Sequence, residues 1–256
     1  MSDNTKIQWA DSTWNPVTGC TEISPGCANC YARKQAERNQ AMGSPNYRNG
    51  FQVTCHPHTL DIPLKWTRPR RIFVCSMADL FHAEVPDLFL NRVFGVMRKA
   101  HQHTFMVLTK RHRRLGCYAE QGCEWPGLGW PPNVWAGVSV ENREQLDRLQ
   151  ALRNFVPFPA VRFLSCEPLL ESLGEVSLRG IHQVIVGGES AWDHRRRDMD
   201  LTWARELRDQ CRAQGVAYFF KQLGGRPNEK GGELEEIPED LRIREWPDLS
   251  KLGVAK

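Results

Sequence analysis

Short apolar runs alternate with longer amphipathic ones along most of this 256-residue chain. Residues 72–76 (Ile-Phe-Val-Cys-Ser) are rich in strand formers, and the apolar positions of 86–100 recur at helical spacing, which predicts a strand followed by a helix. The same alternation continues downstream. Residues 104–109, 134–140, 161–164, 183–186 and 217–221 read as strands; 111–119, 143–152 and 202–214 read as helices, the last with Asp200 as its cap. Strand and helix units repeated in this way, with apolar strands, imply an α/β fold on a parallel sheet, either open and doubly wound or curved into a barrel.

Polar residues gather where the strands end: Ser76, Asp79, Thr109, Lys110, Ser139, Glu141, Cys166, Glu167 and Glu189. Any one of them would serve as a helix cap. Their succession over consecutive strand ends marks the carboxyl face of the sheet as the functional one. Two stretches break the pattern. Residues 117–132 are rich in Gly, Pro and Trp, which predicts an inserted loop or lid, and from Arg226 onward the chain turns polar and turn-rich, with Trp246 as its last large anchor. The expected organisation is a main unit over 1–225 and an appendage over 226–256 packed on the outside.

With 41% hydrophobic and 25% charged residues, disorder is excluded as the main state. No apolar run approaches the roughly 20 residues a membrane span needs, and the first residues lack the apolar core of a secretion signal. The expectation is a cytoplasmic protein with no membrane partner. An odd number of cysteines, nine, in a compartment that keeps thiols reduced argues for metal ligation over disulfides. The net charge of +4 permits an anionic partner without demanding one.

The cysteines are not spread evenly. Cys20, Cys27 and Cys30 lie within eleven residues, in a loop punctuated by Gly19, Pro25 and Gly26 that can bring three thiolates to one centre. Zinc would require a fourth ligand, for which Cys55, His56 and His58 are candidates. A four-iron cluster on three cysteines leaves one iron open to a cofactor or substrate, and this is the preferred reading. Cys75 and Cys211, in apolar contexts, read as small buried hydrophobes.

Several motifs carry a resemblance over about residues 5–225. Trp14-Asn-Pro-Val-Thr-Gly-Cys20, Pro25-Gly-Cys27-Ala-Asn-Cys30-Tyr31, Asp79-Leu-Phe-His82, Leu108-Thr-Lys110-Arg111, Gly137-Val-Ser-Val-Glu-Asn142, Ser165-Cys-Glu-Pro-Leu169, Gly187-Gly-Glu-Ser190 and Phe219-Phe-Lys-Gln222 together resemble the phage Gp37/Gp68 family, also called the three-Cys-motif family. That family is similar to radical S-adenosylmethionine (SAM) enzymes. The resemblance implies a partial (β/α)6 barrel, a 4Fe-4S cluster on Cys20, Cys27 and Cys30, SAM on the open iron, and a one-electron donor such as flavodoxin or ferredoxin. The chain departs from the wider superfamily in having Asn29 before the last cysteine, with its aromatic Tyr31 after it, and in placing Gly187-Gly188-Glu189 after a late strand.

Under this reading Glu189, Ser76 and Asp79 are candidates for SAM's ammonium and ribose, and Gly187 and Gly188 allow its close approach. Ser139 and Glu141 would line the adenine or substrate side, and Glu167, stiffened by the following proline, would orient a group. Lys110 and Lys221 are candidates for a carboxylate or substrate anion. Arg111, Arg195 and Arg196 fall in basic runs after strands, and Trp192 adjoins one run. Cations beside a stacking surface suit a nucleotide or nucleic-acid substrate, which ranks above a small anionic metabolite. Two classes of function therefore stand: a radical SAM enzyme of unassigned reaction, and a zinc-stabilised nucleic-acid-binding protein without catalysis. A separate partner protein that completes the site remains open in either case.

Overall fold

The computed structural model describes residues 5–120, 129–155, 161–192, 196–227 and 229–252. In chain order its elements are strands β1 (Ser12–Trp14) and β2 (Val17–Thr18), helix α1 (Tyr31–Ala41), strands β3 (Thr54–Cys55) and β4 (Arg71–Val74), then α2 (Asp87–Lys99), β5 (Thr104–Thr109), α3 (His112–Glu120), β6 (Val134–Ser139), α4 (Asp147–Phe155), β7 (Arg162–Cys166), β8 (Gln183–Gly187), α5 (Leu201–Gln214) and β9 (Ala217–Gln222). The expected strands and helices from residue 72 onward are present within a few residues of their predicted bounds. Asp200 caps α5, its side chain accepting from the backbone N–H of Thr202 at 2.8 Å.

Seven strands form one parallel sheet in the order β1-β4-β5-β6-β7-β8-β9. The order never reverses, so this is not a doubly wound sheet: every crossover advances the same way and the sheet curls into a half barrel. Strand β1 adds a seventh member to the six expected. β2 and β3 form a separate antiparallel ribbon beneath the cysteine loop.

Alternation along the strands sorts side chains into two cores. Ile72, Val74, Val107, Ala136, Leu164, Val184 and Phe220 face outward under the helices, whereas Phe73, Met106, Trp135, Phe163, Ile185 and Phe219 face inward with Trp9. The inward set is an aromatic plug at the amino-terminal end of the strands. Above it the inward positions turn small or polar, with Gly137, Ser139, Ser165 and Lys221, and this leaves room at the carboxyl end.

The tail is woven more deeply than a surface appendage. Residues 243–245 pair along the free edge of β9, with Phe220 N–H on Ile243 O (2.8 Å) and Glu245 N–H on Tyr218 O (2.9 Å), which covers an edge that would otherwise be open. Ile237 and Leu241 join the outer core, and Trp246 packs on Trp135 and Phe219 of the plug. Opposite this, Gln8 of the N-terminal stretch lies against Gly232, closing the gap between the first and last strands with loops instead of a ladder.

Gly137 shows how tight the plug is. A Cβ there would stand 2.3 Å from the ring of Phe163, which is fully buried. Gly137→Ala should therefore cost about 1–3 kcal/mol by overpacking. In a Phe163→Leu background the same change should cost clearly less, and equal costs in both backgrounds by urea denaturation would show that the ring is not the obstacle.

Candidate functional site

The carboxyl ends of the strands open into a cavity of about 540 Å³, within the range of small-molecule sites. Cys20, Cys27 and Cys30 all line it, each a free, half-buried thiol, on one side of a bowl whose floor includes Trp9, Phe73 and Leu108.

Local geometry places each sulfur. Gly19 takes φ +84° and a Cβ on it would lie 2.2 Å from the carbonyl oxygen of Gln52, so only glycine lets the chain pass there; Cys20 N–H then bonds Phe51 O at 3.2 Å. A single 3-10 turn, Pro25–Cys27, carries the second thiol. Cys30 is the N-cap of α1, so its sulfur lies beside the N–H groups of Ala32 and Arg33 at the helix start. Burial pushes the Cys20 thiol up to about 11, helped by Asp79 and by the other two cysteines and opposed by Arg111. Burial also raises Cys30, with Cys27 adding to the rise, while the helix N–H groups and Lys110 oppose it. Cys20 and Cys30, whose thiols the neighbouring cysteines push up, join Cys27 in a donor set that a cationic metal centre would discharge.

Two buried carboxylates hold the loop. Glu141, after β6, has no solvent exposure; one oxygen accepts from Ser24 Oγ at 2.6 Å and from the Lys110 ammonium, the other from Arg148 at 2.8 Å. Gly26 allows the loop to lie directly on it, since a Cβ there would meet the Glu141 side chain at 2.5 Å. Burial alone would raise the Glu141 pKa, but Lys110, Arg148 and Ser24 outweigh it and hold the carboxyl below its ordinary value. On the other flank Glu189, after β8, accepts from Asn29 Nδ2 at 2.9 Å and from Arg197 N–H at 2.8 Å, and is paired with the Arg197 guanidinium, which itself reaches Pro25 O at 3.0 Å. Burial again pushes upward, and the bonds from Arg197 and Asn29 hold the Glu189 carboxyl low. Thr21 is fixed from a third direction by Arg111 (2.8 Å) and by His82 Nε2 (2.8 Å).

The sequence candidates thus divide. Ser76, Asp79, Ser139, Glu167, Glu189, Lys110, Arg111, Trp192 and Lys221 line the cavity with the three cysteines. Glu141 lies behind the loop, outside the lining. Neither Gly187 nor Gly188 is in the lining, and Gly188 lets the backbone pass, since a Cβ on it would stand 1.9 Å from Leu223 O. Arg196 points outward to Asp198 at 2.6 Å, and Arg195 lies outside the described residues, as does the 121–128 part of the expected lid. In the 110–114 run Lys110, Arg111, His112 and Arg114 are engaged with Glu141, Asp79, Asp147, Asp87 and a backbone carbonyl, whereas Arg113 is exposed. Asp79 is sealed by Thr109 Oγ1 (2.7 Å) and Lys110 N–H (3.0 Å). His56 and His58 are engaged with Thr18 (2.8 Å) and Asn46 (3.0 Å), and neither they nor Cys55 reach the cavity.

Sequence reasoning missed Asn29, Ser24 and Arg197 as loop holders, and Lys6, Lys230, Tyr47 and Phe51 as cavity walls. Their signal was weak, because each lies in a polar segment without periodicity.

The Glu141 pair carries a stability prediction. Its folded pKa is depressed, so its contribution is present above the ordinary value of 4.5 and is lost as pH falls through the lower folded value. Glu141→Gln should destabilise the protein by about 3–5 kcal/mol at pH 7 by leaving Arg148 and Lys110 uncompensated. The deficit, read from urea midpoints, should shrink only below pH 4.5; a gap independent of pH would refute the charge argument.

Residues 4–246 match the model of the family described as "Protein of unknown function (DUF5131)", and the chain belongs to that family. The likeness to the phage Gp37/Gp68 proteins stays a resemblance carried by the motifs. No curated protein matches the chain. Among solved structures it is similar to spore photoproduct lyase complexed with dinucleoside spore photoproduct, at TM-score 0.45 and 12% identity over 82% of this chain. It is likewise similar to a double mutant of that lyase with bound AdoMet and dinucleoside spore photoproduct, at TM-score 0.42 and 12% identity over 80% of the chain. A single mutant with dinucleoside spore photoproduct gives TM-score 0.45 and 12% identity, over 80% of this chain and 75% of that one. The aligned region spans 63% of the length of the first two lyase chains.

Proposed function

We propose that this member of the DUF5131 family is a radical SAM-type iron–sulfur enzyme that modifies a nucleotide or a nucleic-acid base. The observation that carries the reading is the convergence of the three free thiols of one loop on a cavity at the carboxyl ends of a curled parallel sheet, where the fourth cysteine of the lining, Cys75, is buried in the core at the end of β4. The donor set fits a cluster better than a single ion. Zinc draws four donors to about 2.0–2.3 Å from one point. Among the described residues no three His, Cys, Asp or Glu groups are gathered so closely. Thiolates on a cluster each bind a different iron and stand further apart.

Cys20, Cys27 and Cys30 would hold the 4Fe-4S cluster, leaving the iron without a cysteine for SAM. Cluster and SAM together would supply one-electron cleavage of the sulfonium carbon–sulfur bond to a 5′-deoxyadenosyl radical, with the electron from a flavodoxin or ferredoxin type of donor. The chain's own residues do the positioning. Glu141 and Glu189 keep the cysteine loop seated over the strand ends. Ser76, Ser139 and the Glu167–Lys221 pair offer polar contacts along the walls, and Asp79, held by Thr109 and Lys110, stiffens the mouth beside them. The plug beneath, with Trp9, Phe73 and Leu108 at its upper surface, bars water from below. Tyr47, Phe51 and Trp192 give the cavity flat apolar walls suited to a base. The indole N–H groups of Trp9 and Trp192 and Oε1 of Gln222, on residues that line the cavity, are buried without a partner among the described residues.

Anaerobic reconstitution should give a brown protein with four iron and four sulfide per chain, and reduction should yield 5′-deoxyadenosine and methionine from SAM. Cys30→Ala should lower both to background. A reconstituted protein that holds one tight zinc and no iron would overturn the reading.

A further inference from the structure

The wall farthest in sequence from the cysteine loop is basic. Lys221 is the penultimate residue of β9, and the chain then folds back on itself. Leu223 N–H bonds Gly231 O and Gly224 N–H bonds Lys230 O, both at 2.9 Å, so Lys230 is returned to the cavity beside Lys221. The fold-back depends on glycine: a Cβ on Gly225 would stand 2.1 Å from Glu229 O, and Gly231 takes φ +58°. The N-terminal stretch runs past the same hairpin and adds Lys6 to the lining.

Three ammonium groups therefore face one carboxylate, Glu167, which is already paired with Lys221. Lys230 has no acceptor for its ammonium among the described residues. Burial lowers the Lys230 pKa from 10.5 to about 8; Lys221 and Lys6 push it the same way and Glu167 resists. Lys6 is exposed and Lys221 is paired, so the charge that costs free energy until an anion arrives is chiefly that of the partly buried Lys230. Trp192 belongs to the same corner, because Ala191 N–H bonds Gly225 O at 3.1 Å and Ser190 bridges to Gly225.

We infer that Lys6, Lys221 and Lys230 form a phosphomonoester site, so that the substrate is a nucleoside monophosphate and not a base within a polymer. This deepens the enzyme reading above and takes its cavity from it. A phosphomonoester carries about −1.5 to −2 charges at pH 7 and three acceptor oxygens, which matches the surplus, whereas an internal phosphodiester carries about one charge. Lysine, as a compact point charge, suits a terminal phosphate. With the phosphate at Lys230, the base would lie towards Trp192, whose buried indole N–H lacks a partner.

The test is equilibrium binding of AMP, GMP, CMP and UMP against the matching nucleosides, using the full-length chain. At least one monophosphate should bind about 10- to 100-fold more tightly than its nucleoside. Lys230→Met and Lys221→Met should each reduce that ratio at least severalfold, Lys230→Arg should retain most of it, and melting curves should confirm that the variants fold. Equal binding of nucleotide and nucleoside, or an unchanged ratio in Lys230→Met, overturns the proposal. So does a preference for oligonucleotides that lack a terminal phosphate, or competition by methionine and not by monophosphate, which would assign the lysines to a carboxylate. The Cys27→Ala, Cys30→Ala double variant separates this from the enzyme reading. A chain that keeps its phosphate preference while native protein fails to load iron sinks only the cluster. Native protein that cleaves SAM but ignores the phosphate sinks only the lysine site.

Discussion

A carboxylate sealed from water keeps its charge only where cations follow it inside, and Glu141 brings two with it. Lys110 comes from the end of β5 and Arg148 from α4, so one side chain ties two strand ends and a helix to the cysteine loop through Ser24. The contact spans 117 residues of sequence, and that from Asn29 to Glu189 spans 160. A loop with little apolar content of its own is thereby held by the part of the fold that forms the barrel. Were either carboxylate placed one residue earlier, alternation would turn it out towards the helices and the loop would lose that anchor.

The same economy explains where the cavity keeps its unspent charge. Cations on the cysteine side are consumed in holding the loop: Lys110 and Arg111 under it, Arg197 over it. The opposite wall has three lysines and a single carboxylate. The cavity thus keeps its unspent ammonium charge around Glu167 while the cations of the cysteine loop are paired, and a ligand with one anionic end has one favoured orientation.

Much of the scaffold was legible because apolar alternation is imposed by burial on both faces of a parallel sheet. Strands β4 to β9 and helices α2 to α5 carry that signature. Strand β1 does not, being three residues long with Ser12 and Thr13 in it, and α1 buries only Ala32 and Ala36, four residues apart in a run of polar helix formers. The three cysteines stood out by spacing alone. What their spacing could not convey is which polar residues would be used up in structure: Glu141, Arg111 and Arg196 look alike in the sequence, but one is sealed, one pins Thr21 and one pairs with Asp198 on the surface. Pairing is decided by the curl of the sheet, and local sequence does not encode it. The wall around Lys230 was hidden for a related reason, since it belongs to a turn-rich tail whose return to the mouth depends on backbone bonds and glycines.

The sheet stops at β1 and β9, and the gap between them is spanned by the 5–10 stretch and the 223–231 hairpin. In a closed barrel the bore is dictated by strand number and stagger, so widening it means rebuilding the ladder. Here one side of the bore is a gusset of loop. Residues added at the hairpin tip would let it out, and residues removed would take it in, without disturbing a hydrogen bond among the seven strands. Divergence in what such proteins accept should therefore be sought first in the length and charge of this gusset, while the half barrel and its thiol loop stay fixed as a common chassis.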